Sequence, residues 1–160
     1  MRVEVNVPEQ TLTLLSAGRV LLKTQVSTAR NGVGEEYGSE RTPRGRHVIR
    51  ARIGVGAPIN AVFIGRRFSG EIYAPGLRAL YPGRDWILTR ILWLSGCEIG
   101  RNRLGKVDTM RRYIYIHGCP DEDVMGVPGS RGCVKMHNDE IVRLFDRVTA
   151  GTPVHIVAEL

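Results

Sequence analysis

The sequence predicts a mainly β, single-domain protein with at least one packed helix, and three observations support this prediction. The length of 160 residues fits one domain. Short segments of alternating apolar and polar residues, separated by glycine- or proline-containing turns, recur along the chain. One segment near the end instead places its apolar residues at helical spacing.

The N-terminal part is predicted to be a β-meander followed by one further strand. The alternating pattern indicates strands at residues 3–7, 11–16 and 20–26, joined by tight turns. Pro43 fixes its own φ and Gly45 permits a left-handed backbone, so both are typical of a turn. We therefore expect the next strand at residues 47–53.

The middle of the chain is rich in glycine and proline, which predicts loops over residues 54–85 with short strands such as 61–64. Such a long irregular stretch in a compact domain is often functional. Residues 86–94 are strongly apolar and predict a buried strand with Arg90 in its middle. After a polar loop, residues 113–117 predict a shorter strand that ends at His117.

The C-terminal part is predicted to contain an extended segment, a helix and a last strand. Residues 133–136 favour extended structure, and Asn138 is a typical helix N-cap. Gly151 and Pro153 are expected to end the helix before a strand at residues 154–157. The apolar residues predicted to share one helical face are Ile141, Leu144, Phe145 and Val148.

Charge and cysteine content restrict the class of protein. Lys and Arg number 23 and Asp and Glu 16, a net charge of +7, which attracts anionic partners. The basic residues are scattered and few aromatics lie between them, so a nucleic-acid partner is disfavoured. No segment has the roughly twenty apolar residues that a membrane span needs, so membrane insertion is not expected. Three cysteines leave at least one free thiol, which suits a reducing compartment.

The start of the chain bears on its location. An alternating strand pattern differs from the unbroken apolar core of a secretory signal, so the sequence predicts a cytoplasmic protein. If Met1 follows a signal that has been removed, the prediction becomes periplasmic.

The segments that can carry chemistry are His117-Gly118 and residues 130–136. A thiol attacks as the thiolate, and a neighbouring imidazole is the usual group that generates it. Gly132 before Cys133 lets backbone amides approach a developing oxyanion. Spacing alone does not bring the two side chains together, so an inert Cys133 and a hydrogen-bonded, structural His117 remain an alternative.

Two other interpretations of the same residues stay open. A structural zinc site would use the ligand types present at His117, Cys119, Cys133 and His137, although paired Cys-x2-Cys motifs are missing. A disulfide between Cys119 and Cys133 is the other, and it is disfavoured in a reducing compartment.

The segment HGCPDEDVMGVPGSRGCVKM resembles the signature of YkuD-type L,D-transpeptidases: His-Gly, a loop, then Ser-x-Gly-Cys-Ile/Val-Arg/Lys-Met. The opening VEVNVPEQTLTLLSAGRVLLKTQVSTA and the segment TPRGRHVI are similar to further blocks of that family, as are the helix after the cysteine and the final Gly-Thr-Pro-Val strand. These blocks follow one another in the family's order. The resemblance implies one catalytic domain over residues 1–160, with a YkuD-type β-sandwich or mixed sheet and one or two short packed helices.

The resemblance also implies roles for the residues of the signature. Cys133 would be the nucleophile and His117 its base, with the Gly118 carbonyl orienting the imidazole. Backbone amides of Arg131, Gly132 and Cys133 would form the oxyanion hole. No metal or cofactor is implied. The candidates for bracing the site or binding substrate are Ser130, Lys135, Arg90, Arg44 and Arg78.

Three positions depart from the family pattern as this resemblance gives it. Cys119 stands where relatives commonly have Thr, and it is expected either to pack as a small residue or to act as a redox-sensitive neighbour. Arg131 stands where many have His, which leaves His117 as the base. Lys135 stands where Arg is usual, and Lys binds a carboxylate less directionally.

The resemblance implies an activity on murein peptides. Members cleave the meso-diaminopimelate–D-Ala bond of tetrapeptides through a cysteine thioester, which water hydrolyses or an amine captures. A short chain without a signal is similar to cytoplasmic L,D-carboxypeptidases of peptidoglycan recycling, whose cysteine is expected to be acylated by carbapenems. The alternative is a periplasmic L,D-transpeptidase that forms cross-links or exchanges D-amino acids. A more remote alternative is a non-catalytic murein-binding or zinc-stabilised domain.

Overall fold

Within residues 1–159, the part of the chain that this computed structural model describes, ten β-strands and two short α-helices form the fold. Leu160, the last residue of the predicted domain, lies outside the described residues. The strands are β1 Arg2–Asn6, β2 Thr11–Ser16, β3 Arg19–Gln25, β4 Gly45–Ile53, β5 Ala61–Ile64, β6 Arg67–Ile72, β7 Leu88–Gly96, β8 Tyr115–Gly118, β9 Val134–Met136 and β10 Pro153–Val157. The helices are α1 Pro75–Leu80 and α2 Asn138–Phe145, and Gly105–Val107 forms a 3-10 helix. The prediction of a mainly β fold with one or two short helices is confirmed.

The strands join in one mixed sheet in the order β3-β2-β1-β10-β4-β7-β5-β6, with β8 and β9 continuing from the other edge of β7. Most neighbours are antiparallel, but β1 pairs with β10 in parallel, and so does β8 with β9. The β8–β9 pair places His117 opposite Lys135 and Ile116 opposite Val134. Since β7 pairs with β8, Ile91 lies opposite His117.

Two apolar clusters lie on opposite faces of the β8–β9 pair, because successive side chains of a strand point to opposite faces. Ile116 and Val134 belong to the main core, which α2 covers. Tyr115 and Cys133 belong to a smaller cluster with Phe63. This alternation places His117 and Cys133 on the same face of the sheet, away from α2.

Helix α2 packs by the apolar face that the sequence predicts. Ile141, Leu144 and Phe145 are each 2% exposed or less. Burial of such a side chain contributes about 1.5–3 kcal/mol. Val148 is buried as well, although the helix ends at Phe145, before the predicted stop at Gly151.

Two predictions for particular segments are wrong. The sequence predicts no helix over residues 54–85, where α1 forms with only six residues and Pro75 at its start. β6 is an exposed short strand in the same stretch. Asn138 does not cap α2, because His137 is the N-cap residue and no side-chain cap bond forms. The Asn138 side chain is instead buried, where its Oδ1 accepts a 2.6 Å hydrogen bond from Thr89 Oγ1.

Among residues 1–159, no helix is both long enough and apolar enough to traverse a membrane.

Candidate active site

The imidazole of His117 is held by its own neighbour in the chain. His117 is 1% exposed, and its Nδ1 lies 2.6 Å from the carbonyl oxygen of Gly118. Because a carbonyl oxygen only accepts hydrogen bonds, Nδ1 carries the proton. Nε2 then has a free lone pair and can act as a base.

The backbone around Gly118 leaves no room for a side chain. A Cβ at this position would lie 2.6 Å from the carbonyl oxygen of Leu88 and would overlap Oδ1 of Asn138. The close approach of β7 and α2 therefore requires glycine here. This packing fixes the carbonyl that orients His117.

The thiol of Cys133 lies at the start of β9 and is partly exposed. Its Sγ accepts a hydrogen bond from the backbone N–H of Tyr115 at 3.2 Å and donates one to the carbonyl of Tyr113 at 3.5 Å. Within residues 1–159 these two groups are the hydrogen-bond partners of Sγ, and the imidazole of His117 is not among them. In this state the thiol proton therefore points to Tyr113.

The strand register nevertheless keeps the thiol and the imidazole close. Because Ile116 lies opposite Val134, Cys133 falls one step earlier, opposite Tyr115 and diagonal to His117 on the same face. Diagonal neighbours in a sheet are about 7–8 Å apart at Cα. Catalytic hydrogen bonds are often long in the absence of substrate and tighten when it binds. A rotation of the thiol toward Nε2 is compatible with this arrangement.

Burial sets the protonation of both groups. Desolvation raises the pKa of Cys133 to about 12, against the opposing effects of the Tyr115 N–H bond and the positive charge of Arg112. Desolvation also lowers the pKa of His117, although the charge of Asp85 and the bond to Gly118 oppose this. The resting pair therefore consists of a neutral thiol and a neutral imidazole.

The loop before Cys133 is braced by two hydroxyl groups. Ser130 Oγ donates to the carbonyl of Cys133 at 2.6 Å and accepts from the N–H of Gly132 at 3.1 Å. Thr42 Oγ1 donates to the carbonyl of Gly132 and accepts from the N–H of Ala29, both at 2.9 Å. Gly132 itself has a φ of +130°, which side-chain-bearing residues rarely adopt.

These hydrogen bonds affect the predicted oxyanion hole. The amide of Gly132 already donates to Ser130 Oγ, so in this state it does not donate to an oxyanion. The amides of Arg131 and Cys133 flank it on the same loop. The side chain of Arg131 reaches away from the loop, where Nη2 donates to the carbonyl of Gly83 at 2.9 Å.

Two of the predicted substrate-binding cations form ion pairs with the same carboxylate. Lys135 Nζ lies 3.0 Å from Asp123, and Arg78 lies 2.9 Å from Asp123 and 3.3 Å from Glu122. Both cations therefore bind carboxylates of the loop between β8 and β9. Their charges are therefore already balanced by protein carboxylates.

The other two predicted cations also have partners within the protein, and that Arg90 binds substrate stays a prediction. Arg90 is 8% exposed, and its Nη1 donates to the carbonyls of Ala57 and Thr89. Arg44 forms a two-point ion pair with Glu35, with both N–O distances at 3.0 Å.

The alternative interpretations of the cysteines receive no support from the geometry. All three cysteines are free thiols, so Cys119 and Cys133 are not joined. Cys119 is buried and donates to the carbonyl of Met136, and burial raises its pKa to about 12. No three His, Cys, Asp or Glu side chains among residues 1–159 converge as metal ligands.

Several residues that shape this site were not singled out from the sequence. Thr42 lies in the segment TPRGRHVI, whose resemblance to a family block is the one signal that could have identified it. Tyr115 contacts the thiol through its backbone, a contact that no residue type reveals. Arg112 lies near Cys133 because of a tertiary arrangement that local sequence does not encode.

A sequence profile described as the L,D-transpeptidase catalytic domain, YkuD, matches residues 1–156 of the chain. The chain belongs to the YkuD family. A stretch of 45 residues is 49% identical to YqjB of Bacillus subtilis (strain 168), a protein provisionally named an L,D-transpeptidase, and covers 28% of this chain and 26% of that one.

Solved structures show the same YkuD-family fold. The L,D-transpeptidase of Enterococcus faecium (C442S mutant) superposes with a TM-score of 0.59 at 17% identity, over 98% of this chain and 49% of that one. The LD transpeptidase LdtMt1, solved in complex with imipenem, gives a TM-score of 0.56 at 16% identity, over 97% of this chain and 57% of that one. At such identities the likeness establishes the fold, and this chain spans about half the length of these proteins.

Proposed function

We propose that this YkuD-family chain is a cysteine acyl-transfer enzyme that cleaves the meso-diaminopimelate–D-Ala bond of murein tetrapeptides through a thioester at Cys133. The observation that carries the proposal is the bond between His117 Nδ1 and the Gly118 carbonyl. It leaves Nε2 as a base on the face of the sheet that also bears the thiol. Membership of the family gives the substrate class.

The first half of the reaction forms the thioester. Nε2 of His117 takes the proton of Cys133 Sγ, and the sulfur attacks the carbonyl carbon of meso-diaminopimelate. The amides of Arg131 and Cys133 donate to the oxyanion, joined by that of Gly132 when it releases Ser130. The C–N bond then breaks, and the amine of D-Ala leaves with the proton from His117.

The second half resolves the thioester. Nε2 takes a proton from water or from an amine, the nucleophile attacks the thioester carbonyl, and the C–S bond breaks. The thiolate of Cys133 recovers its proton from His117. We propose water as the acceptor, which makes the protein an L,D-carboxypeptidase of cytoplasmic peptidoglycan recycling. The alternative acceptor is an amine, which gives L,D-transpeptidation in the periplasm.

The neutral resting pair favours this mechanism over a preformed ion pair. With the pKa of Cys133 raised and that of His117 lowered, proton transfer accompanies attack on the substrate. The N–H of Tyr115, which already donates to Sγ, stabilises the negative charge that develops on sulfur.

The test is incubation with murein tetrapeptide, with and without an amine acceptor, followed by mass spectrometry. We expect tripeptide from the wild type and none from Cys133→Ala, while Cys97→Ala, which removes another free thiol, keeps activity. Imipenem, the compound bound in the LdtMt1 structure, should add its mass to the wild type and to Cys97→Ala only. Full tetrapeptide turnover by Cys133→Ala would reject the proposal. A cross-linked or exchanged product would show that the acceptor is an amine and not water.

A further inference from the structure

The cations near the thiol that lack an acidic partner differ from those that the sequence predicts. Lys135, Arg78 and Arg44 are paired with carboxylates. Within residues 1–159, the side chains of Arg111, Arg112 and Arg131 form no ion pair of 4.0 Å or less. All three line one cleft of about 230 Å³, so it carries positive charge that no protein ion pair balances.

This cleft adjoins the nucleophile. Tyr113, whose carbonyl accepts from Cys133 Sγ, lines it. Ile114 also lines it and lies within 3.2 Å of the position that a Cβ on Gly132 would take. Tyr37 and one acid, Glu40, also line the cleft, so three arginines and a single carboxylate contribute to its wall.

Arg112 gives the cleft its fixed charge. Its guanidinium donates to the carbonyls of Gly34 and Arg41 at 3.2 and 2.6 Å and to Ser39 Oγ at 3.3 Å, all of them neutral acceptors. The acid whose charge acts on Arg112 is Glu35, which is held in the two-point pair with Arg44. A partly buried cation with neutral acceptors only is costly unless an anion approaches it.

We propose that this cleft binds the C-terminal carboxylate of the donor peptide, the carboxylate that leaves with the terminal D-amino acid. The inference rests on the proposed function, and it names the group that positions the scissile bond. In a tetrapeptide this carboxylate lies one residue beyond the scissile carbonyl, which matches a cleft lined by Tyr113, the residue whose carbonyl accepts from Cys133 Sγ. Planar guanidinium groups suit a carboxylate because they can donate two parallel hydrogen bonds.

The experiment compares a tetrapeptide that has a free C-terminal carboxylate with the same peptide as its C-terminal carboxamide. Arg111→Gln is the test variant, because its side chain is exposed and forms no hydrogen bond among the described residues, so the fold should persist. Arg112 is left intact because it also holds the carbonyls of Gly34 and Arg41. Arg19→Gln, at the exposed start of β3, is the matched control.

We expect the wild type and Arg19→Gln to prefer the acid over the amide by about 10-fold in kcat/KM, the size of one charge-assisted hydrogen bond. Arg111→Gln removes one of the three arginines, so it should reduce this preference several-fold through a higher KM for the acid, with the amide reaction unchanged. An undiminished preference in Arg111→Gln would overturn the inference.

Binding measurements separate the failure of this inference from that of the proposed function. Calorimetric titration of Cys133→Ala with both peptides needs no turnover. Tighter binding of the acid that is weakened when Arg111→Gln is added to Cys133→Ala supports the cleft even if neither peptide is cleaved. Equal binding of acid and amide rejects the cleft even if the acid is a good substrate.

Discussion

At the scale of single residues, burial and not a charged partner sets the state of the thiol and the imidazole. Both groups face the small apolar cluster around Phe63 and Ile91. That environment disfavours thiolate and imidazolium alike, so the pair rests uncharged. The neutral imidazole of His117 carries no charge that a carboxylate would have to balance. The Gly118 carbonyl is therefore sufficient to orient it.

The pH dependence of acylation follows from these protonation states. His117 acts as a base only when neutral, and its pKa is lowered by burial, so the rate should fall only below pH 6.5. The pKa of Cys133 is raised to about 12, so no ordinary thiol inflection is expected near pH 8.5. Rates of imipenem adduct formation, measured by mass spectrometry from pH 5 to 9.5, check this. A rise centred between pH 8 and 9 would show that free thiolate, and not His117, controls attack.

At the scale of elements, Thr42 connects the loop before Cys133 to the segment after β3 through two hydrogen bonds. Thr42→Val keeps the shape but leaves the N–H of Ala29 and the carbonyl of Gly132 without their partner. We expect a loss of about 1–3 kcal/mol in the free energy of unfolding and slower acylation of Cys133. Urea denaturation and imipenem adduct rates measure the two effects. Thr13→Val in β2, which removes no side-chain hydrogen bond in the described part of the chain, is the control; equal losses in both variants would contradict the bracing role.

Strand prediction from the sequence succeeded where one face is buried and failed elsewhere. In β2 the alternation buries Leu12 and Leu14 and leaves their neighbours half-buried, so the sequence pattern predicts the strand. In β6 neither face is buried, and the strand forms because a tight turn at Gly65 and Arg66, both with positive φ, folds it back on β5. Helix α1 is too short to show a helical period.

At the scale of the whole molecule, the candidate site depends on a register that local patterns do not encode. His117 and Cys133 could be chosen from their signature, but their shared face arises from the parallel pairing of β8 with β9. The contacts of the predicted substrate cations depend on the tertiary arrangement in the same way. Arg90, Arg44, Arg78 and Lys135 have partners that are distant in sequence, so their availability could not be judged from the chain alone.

A buried histidine outside the site should make the stability of the whole protein pH-dependent. His47 is 1% exposed; Nδ1 donates to the Gly45 carbonyl, and Nε2 accepts from Thr109 Oγ1, both at 3.0 Å. Burial lowers the pKa of His47 to about 4, against opposing effects of the Gly45 bond and Glu98. The unfolded chain, with a histidine pKa near 6.5, binds the proton first. Stability is therefore complete above pH 6.5 and declines as the pH falls toward 4.

The size of this loss is on the order of 3 kcal/mol between pH 7.5 and 4, because each unit of pKa difference contributes about 1.4 kcal/mol. Urea denaturation across that range should show, for His47→Gln, a decline that is smaller than that of the wild type by about this amount, and the lowered pKa of His117 contributes a decline of its own. The lowered carboxyl pKa values of Glu35 and Asp123 act below this window. His137→Gln, at a half-exposed position, should follow the wild type. A wild-type stability that stays constant from pH 6.5 to 4.5 would show that His47 is protonated in the folded protein.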